Sequence, residues 1–310
     1  DSDKQKLESY LKKNELAWAN LFEPGANGQH PMAVKYGVRA IPTAILVGPD
    51  GKVVSLNARG FELGAQLESL LGPVTFDGDW QSIVDSVEQR LQEDPDSTHQ
   101  LNVLATAQAR AEKWDDCVRS YRKLFSIRDQ RDQAFLSLAS ALLLAEDHYA
   151  HEELCNNFKS IVGESPSVRE LYLYGKALAL DFGSVSAIAV DPAKRAVELS
   201  AAAHHLDTLA VGHLRAGNWD DAITWANRAA ETDYWNFKVC DWLVLAIAWH
   251  EKGDKAKSNE WMAKSVQWFH ENERKLNPVS ASGLPNHPHN WLEAQILRRQ
   301  ANRRLGIDEN

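Results

Sequence analysis

Five segments of this 310-residue chain repeat one short pattern at near-constant spacing. They are Leu101-x-x-Leu104-Ala105-x-x-Gln108, Phe135-x-x-Leu138-Ala139-x-x-Leu142, Leu171-x-x-Tyr174-Gly175-x-x-Leu178, Leu206-x-x-Leu209-Ala210-x-x-His213 and Trp242-x-x-Leu245-Ala246-x-x-Trp249. The small residues at 105, 139, 175, 210 and 246 stand 34, 36, 35 and 36 positions apart. On a helix, positions i, i+3 and i+7 share one face, and a small residue at i+4 lets a second helix approach closely. A period near 34 residues predicts stacked helical hairpins, each burying its apolar face against the next. Residues 98–272 are therefore expected to form five antiparallel helix pairs, with those five small residues at the close contacts. An array of this kind offers a long concave surface suited to binding other proteins.

Composition excludes several classes. Charged residues make up 25% of the chain and hydrophobic residues 44%, which fits a globular protein. Residues 1–74 carry eight basic and eight acidic side chains, so the net charge of −9 belongs to the remainder. An acidic array lacks the basic footprint of a general nucleic-acid binder. No apolar run is long enough to span a membrane as a helix. Cys117, Cys155 and Cys240 form no C-x-x-C and read as reduced thiols.

The repeats resemble tetratricopeptide repeats. The turns Glu112–Asp116, Ala216–Asp221 and Lys252–Lys255 follow first helices. Cys117/Tyr121 and Ala222/Ala226 then fill the small and bulky positions of second helices. The third copy is the poorest, since Asp191-Pro192 delays its second helix to near Ala193. Asp77–Glu93 is expected as a lead-in helix. Trp291–Leu305, with Arg298, Arg299, Arg303 and Arg304, is expected as a solvated capping helix, and most tryptophans as packing between hairpins. The region also resembles tetratricopeptide tails of bacterial kinase or propeller proteins, although no kinase motif is present.

Residues 1–74 have another texture. Short helices are expected at Lys4–Asn14 and Pro31–Tyr36, the second closed by Gly37. Thr43–Val47, the turn Gly48–Gly51 and Lys52–Leu56 predict an antiparallel hairpin, and Glu62–Leu71 a helix packed on it. The run Tyr36-Gly37-Val38-Arg39-Ala40-Ile41-Pro42-Thr43, followed by Pro49-Asp50-Gly51-Lys52-Val53-Val54, resembles the second half of thioredoxin-fold proteins of the TlpA/ResA type; Trp18 fits as well. The resemblance implies a cis Ile41-Pro42 bond beside a substrate peptide, making Ile41 and Pro42 candidate binding residues, and an extracytoplasmic location. The chain holds no cysteine before residue 117, so disulfide exchange, which needs a thiolate, is not expected of it as given. The chain is expected to be the C-terminal portion of a longer protein, starting at a processed or truncated Asp1.

The expected architecture is thus mainly α: a partial α/β thioredoxin-like unit at 1–74 and a tetratricopeptide-like array at 75–310. The expected function is non-catalytic protein interaction, without cofactor. The alternatives are the C-terminal part of a thiol–disulfide oxidoreductase and a regulatory tail of a larger signalling protein. His250-Glu251 and His270-Glu271 begin H-E-x-x-H but lack the second histidine. His148/His151/Glu152 and His287-x-His289 offer too few ligands for a designed metal site. The candidate site is the concave groove, lined by first-helix positions offset from the motif. They are His99, Asn102, Thr106 and Arg110; Arg169, Tyr172 and Lys176; and His204, Asp207 and Arg215. Arg110, Arg169, Lys176 and Arg215 form a basic row that suits an acidic peptide or a C-terminal carboxylate.

Overall fold

The structure is a computed structural model. It describes residues 4–13, 30–39, 43–56, 58, 60–72, 79–127, 130–163, 165–182, 186–232, 237–272 and 288–307. The chain divides into two compact units, residues 1–70 and residues 71–310.

In the first unit, helix α1 (Lys4–Lys13) and the short α2 (Pro31–Lys35) precede strands β1 (Leu46–Val47) and β2 (Val53–Ser55), and α3 spans Gly60–Leu71. Pro31 sits in the first turn of α2, where its missing N–H costs nothing, and Gly37 closes that helix at φ +66°. The strands pair antiparallel, with Leu46 opposite Ser55, Val47 opposite Val53 and a bulge between. They are shorter than the expected Thr43–Val47 and Lys52–Leu56, because only the residues next to the turn complete the ladder. Val47, Val53 and Val54 are exposed, so no described element covers this apolar ribbon. Ile41, Pro42 and Trp18, which carry part of the thioredoxin-like resemblance, lie outside the described residues.

The second unit begins with α4 (Trp80–Glu93), N-capped by the Asp79 side chain, and buries Val84 and Val87 as the lead-in helix. Five helix pairs follow: α5 (Thr98–Arg110) with α6 (Trp114–Ser126), α7 (Arg131–Leu144) with α8 (His148–Val162), α9 (Val168–Leu180) with α10 (Val190–Leu199), α11 (Ala203–Arg215) with α12 (Trp219–Ala230), and α13 (Lys238–Glu251) with α14 (Lys255–Asn272). Each packs on its neighbours in chain order. Ala105, Ala139, Ala210 and Ala246 are fully buried. Gly175 is tighter still: a Cβ there would lie 3.2 Å from the Ala193 backbone nitrogen in α10. The small position of the motif is where the helices touch, as its spacing predicts.

The repeats also share a turn that the motif does not announce. First helices α5, α7, α11 and α13 each end two residues before a left-handed residue: Glu112 (φ 56°), Glu146 (φ 61°), Gly217 (φ 75°) and Gly253 (φ 82°). The next N–H bonds back to the carbonyl of the last motif residue: Lys113 to Gln108, Asp147 to Leu142, Asn218 to His213 and Asp254 to Trp249. This Schellman arrangement satisfies carbonyls the helix end would leave open. The third repeat departs from it. Helix α9 starts with a Ser167/Glu170 capping box and ends at an extended Asp181. A 3₁₀ turn, Ser186–Ala189, then leads into α10, whose first turn holds Pro192. The proline that disturbs the repeat in sequence is tolerated at that position.

The C-terminal helix α15 (Pro288–Leu305) is not a solvated cap. It packs on the first helices α7, α9 and α13. Leu292, Ala294, Ile296, Leu297 and Ala301 are buried, and so are Glu293, Gln300 and Asn302. The arginines that suggest solvation carry this docking at their ends. Arg299 donates to the Leu144 carbonyl at 3.0 Å, Arg303 meets Glu146 at 3.4 Å and Arg304 meets Glu251 at 2.6 Å. Long cationic side chains can pack their stems while the charged head reaches a helix C-terminus or an acid.

Candidate functional site

The first-helix face is the site predicted from sequence, and α15 lies on it. Three of the four basic residues converge on that helix. Arg110, at the end of α5, stacks its guanidinium 3.5 Å from the Trp291 ring, with Trp80 of α4 on another side at 5.5 Å. The Trp291 ring is also 6.2 Å from that of Trp268 and 5.9 Å from that of Phe269, both on α14. Trp291 therefore joins the two ends of the array, and the repeats wrap around α15.

Arg215 of α11 donates from Nε to the Ala179 carbonyl and from Nη2 to Gln300 Oε1, each at 2.7 Å, while its guanidinium covers the Phe182 ring. Lys176 of α9 is buried, with its ammonium between Asp207 of α11 and Glu293 of α15; the Glu293 contact is 2.6 Å. Tyr172, one helical turn back, meets His289 Nε2 at 3.2 Å, and its ring lies against His204 and His205.

Arg169 is not part of this set. It is exposed at the start of α9 and pairs with Asp132 at 3.7 Å. Position 169 lies seven residues before 176, but the helix begins at Val168, so Arg169 sits beyond the stretch that α15 covers. Lys176 also departs from expectation. It is a core residue, not a solvent-facing groove residue, because a helix covers it.

Two carboxylates and one ammonium buried together do not balance in charge. Burial and the neighbouring Asp207 raise the Glu293 carboxyl to about 8, against the opposing pull of Lys176. Lys176 stays charged: the two acids push its ammonium well above its ordinary range despite burial. A proton held on Glu293 makes the cluster neutral.

Sequence reading missed Trp291, Glu293 and Gln300. A usable signal was present: Leu292/Ile296 and Ala294/Leu297/Ala301 place apolar residues at i, i+3, i+4 and i+7 spacing over two faces. Four arginines masked it.

The other candidates resolve into packing. Cys117, Cys155 and Cys240 are buried and free. Burial raises the thiols of Cys117 and Cys155 to about 12 and that of Cys240 well above its ordinary value. His148 and His151 both face Asp181, at 3.3 and 3.9 Å. Among the described residues no group of three or more His, Cys, Asp or Glu is placed to hold a metal ion. Nor is any described helix long and apolar enough to cross a membrane.

No protein-family model and no curated protein matches the chain. Among solved structures it is similar to the MamA protein, at 16% identity and a TM-score of 0.33, over 56% of this chain and 93% of that one. It is also similar to YrrB, described as a TPR protein with an unusual peptide-binding site, at 14% identity and a TM-score of 0.33, over 59% and 92%. At that TM-score neither likeness decides the fold or the use of the site. The helical pairs, their period and their shared turns are the repeat evidence.

Proposed function

We propose that residues 71–310 are a tetratricopeptide-like interaction scaffold whose first-helix face binds a protein or peptide segment. The observation that carries this is the convergence of Arg110, Lys176 and Arg215, from three different repeats, on one helical segment. Repeat arrays gain such surfaces because each hairpin adds its first helix to a common face. Those three cations suit an acidic ligand, with ionic contacts that weaken as salt rises. The test is selection of a displayed peptide library on the full chain, followed by binding to an Arg110→Glu variant and an Arg215→Glu variant. Enriched acidic peptides that lose affinity for both variants support the reading. Sequences no different from the unselected library would sink it.

A second reading concerns the first unit. The order hairpin then helix, β1–β2–α3, supports a thioredoxin-like unit, as the resemblance around Ile41-Pro42 implies. In that reading the unit binds an extended peptide beside Pro42, or belongs to an oxidoreductase whose thiols lie elsewhere. Insulin reduction tests whether the chain's own thiols take part. The chain as given is expected to show no turnover, because its three thiols are buried far above neutral pKa. Turnover would reveal a nucleophile among them.

A further inference from the structure

We infer that α15 is an internal ligand of the first-helix face, and that the face is built to receive an amphipathic helix from a partner protein that sets a carboxyl group on Lys176, across from Asp207. This deepens the scaffold reading and rests on it. It changes the expected ligand from an extended acidic peptide to a helix with one buried acid.

Three observations carry it. First, the contact has an apolar centre and an ionic rim. Its centre is Leu292, Leu297 and Ala301, with an aromatic–arginine anchor at Trp291. Its rim is ionic, with Arg303 on Glu146 and Arg304 on Glu251. Second, each first helix already packs on a second helix of its own. The face that α15 covers is the one left over when the pairs stack. Third, the cluster that holds it is specific. Lys176 and Asp207 form a buried pair within the array, on α9 and α11, and Glu293 adds a carboxyl group from outside it. A buried polar group is costly unless partnered, so a helix without a hydrogen-bonding side chain at that position is rejected. The occupant is thus recognised by a pattern that reads aromatic, apolar, acid, then apolar three and four positions later, as in Trp291-Leu292-Glu293-x-x-Ile296-Leu297.

α15 belongs to the same chain as the face it covers, so its docking is intramolecular. A partner helix must outcompete that. The experiment therefore places a protease recognition sequence within 273–287 of the full chain, cuts it, and adds a fluorescent peptide of residues 288–305. After cutting, the peptide is expected to bind about 100-fold more tightly than to the uncut chain. An otherwise identical peptide with Glu293→Lys should bind at least about 100-fold more weakly than the natural one. Circular dichroism should show the array still helical after α15 has left. Hydrogen exchange on the unmodified chain gives a second measurement. Amides of α15 should exchange at least about tenfold faster than those of α11 and α13, through an opening smaller than global unfolding.

Overturning results are equally definite. If α15 leaves the cut chain only when the array unfolds, or exchanges in step with α13, it is a core element and not a ligand. If the chain runs as a dimer that trades α15 between copies, the occupant is a second copy and not a foreign helix. Either result leaves the scaffold reading to its own test: it stands where selected acidic peptides lose affinity for the Arg110→Glu and Arg215→Glu variants, and falls where they do not.

Discussion

Lys176 Nζ and Glu293 Oε1 meet at 2.6 Å, although 117 residues separate them and both side chains are only 1% exposed. The contact joins the third repeat to the last helix of the chain. With Asp207 on the other side of the ammonium, it forms a closed ionic cluster that the array and α15 build together. Removing one member leaves charge buried without a partner, which costs more than never having placed charge there.

Lys176→Met should therefore lower the stability of residues 71–310 by about 3–5 kcal/mol in urea unfolding. Replacing the whole cluster, as Lys176→Met with Asp207→Leu and Glu293→Met, should recover most of that loss. Equal damage from the triple variant would show that shape, and not charge, decides this site.

The same cluster sets a pH dependence with a definite sign. Glu293 is raised from 4.5 to about 8 when α15 is docked. Between those values the folded chain holds a proton that the unfolded chain has lost. The contribution of Glu293 is thus full below about pH 4.5, falls as pH rises, and is lost above about pH 8. The groups that act on it are Lys176 and Tyr172 from α9, Asp207 and Arg215 from α11, and Cys240 from α13, while His205 acts on Lys176 and Asp241 on Cys240. His151, His205 and His213, which burial lowers, act in the opposite sense: their contributions are full above about pH 6.5 and are lost as pH falls below it through their depressed folded values. Glu293→Gln keeps those histidines and removes the titrating acid. The difference in urea midpoint between wild type and Glu293→Gln should shift in favour of Gln from pH 5 to pH 8. A constant difference would show that Glu293 is not held protonated.

Gly175 marks the closest approach of α9 and α10. A Cβ at 3.2 Å from the Ala193 nitrogen leaves little room, and the neighbour is backbone. Gly175→Val should destabilise by about 1–3 kcal/mol despite the usual helical advantage over glycine of under 1 kcal/mol. Ala210→Trp should cost at least as much, since Ala210 is fully buried. Thermal unfolding of both variants checks this.

Glu112 occupies the turn that Gly217 and Gly253 fill in later repeats. An L-residue there costs about 1–2 kcal/mol of left-handed strain. Glycine gives back about 0.5–1 kcal/mol through the entropy of the unfolded chain. Glu112→Gly should accordingly stabilise the array by about 0.5–1 kcal/mol. A lower urea midpoint would mean that the exposed Glu112 side chain does more than the backbone argument allows.

The thiols should report on opening. Cys117, Cys155 and Cys240 are buried and shifted upward. Ellman's reagent at pH 8 should react with none of them within minutes in the native chain, and with all three in urea. Fast reaction of Cys240 alone would locate an opening beside the Lys176 cluster.

What the sequence determined by itself was local and periodic. The spacing of Ala105, Ala139, Gly175, Ala210 and Ala246 was enough to place five helix pairs and their contacts, because helical geometry converts a fixed offset into a shared face. It marked the third repeat as irregular through Asp191-Pro192, and it led to the expectation of Arg110, Arg169, Lys176 and Arg215 on one surface, a set from which Arg169 stands apart. It also separated the hairpin near residue 50 from the array through its turn chemistry, although Ile41 and Pro42 fall outside the described residues. What only the tertiary structure decided was where α15 goes. Its arginines read as solvent-facing because sequence pattern scores each side chain alone. A buried charge is stable only with a partner, and the partners of Glu293 are Lys176 and Asp207, on helices 117 and 86 residues away. Pairings over such distances follow no period, so the occupied face, the buried lysine and the shared proton emerge only when the chain is folded.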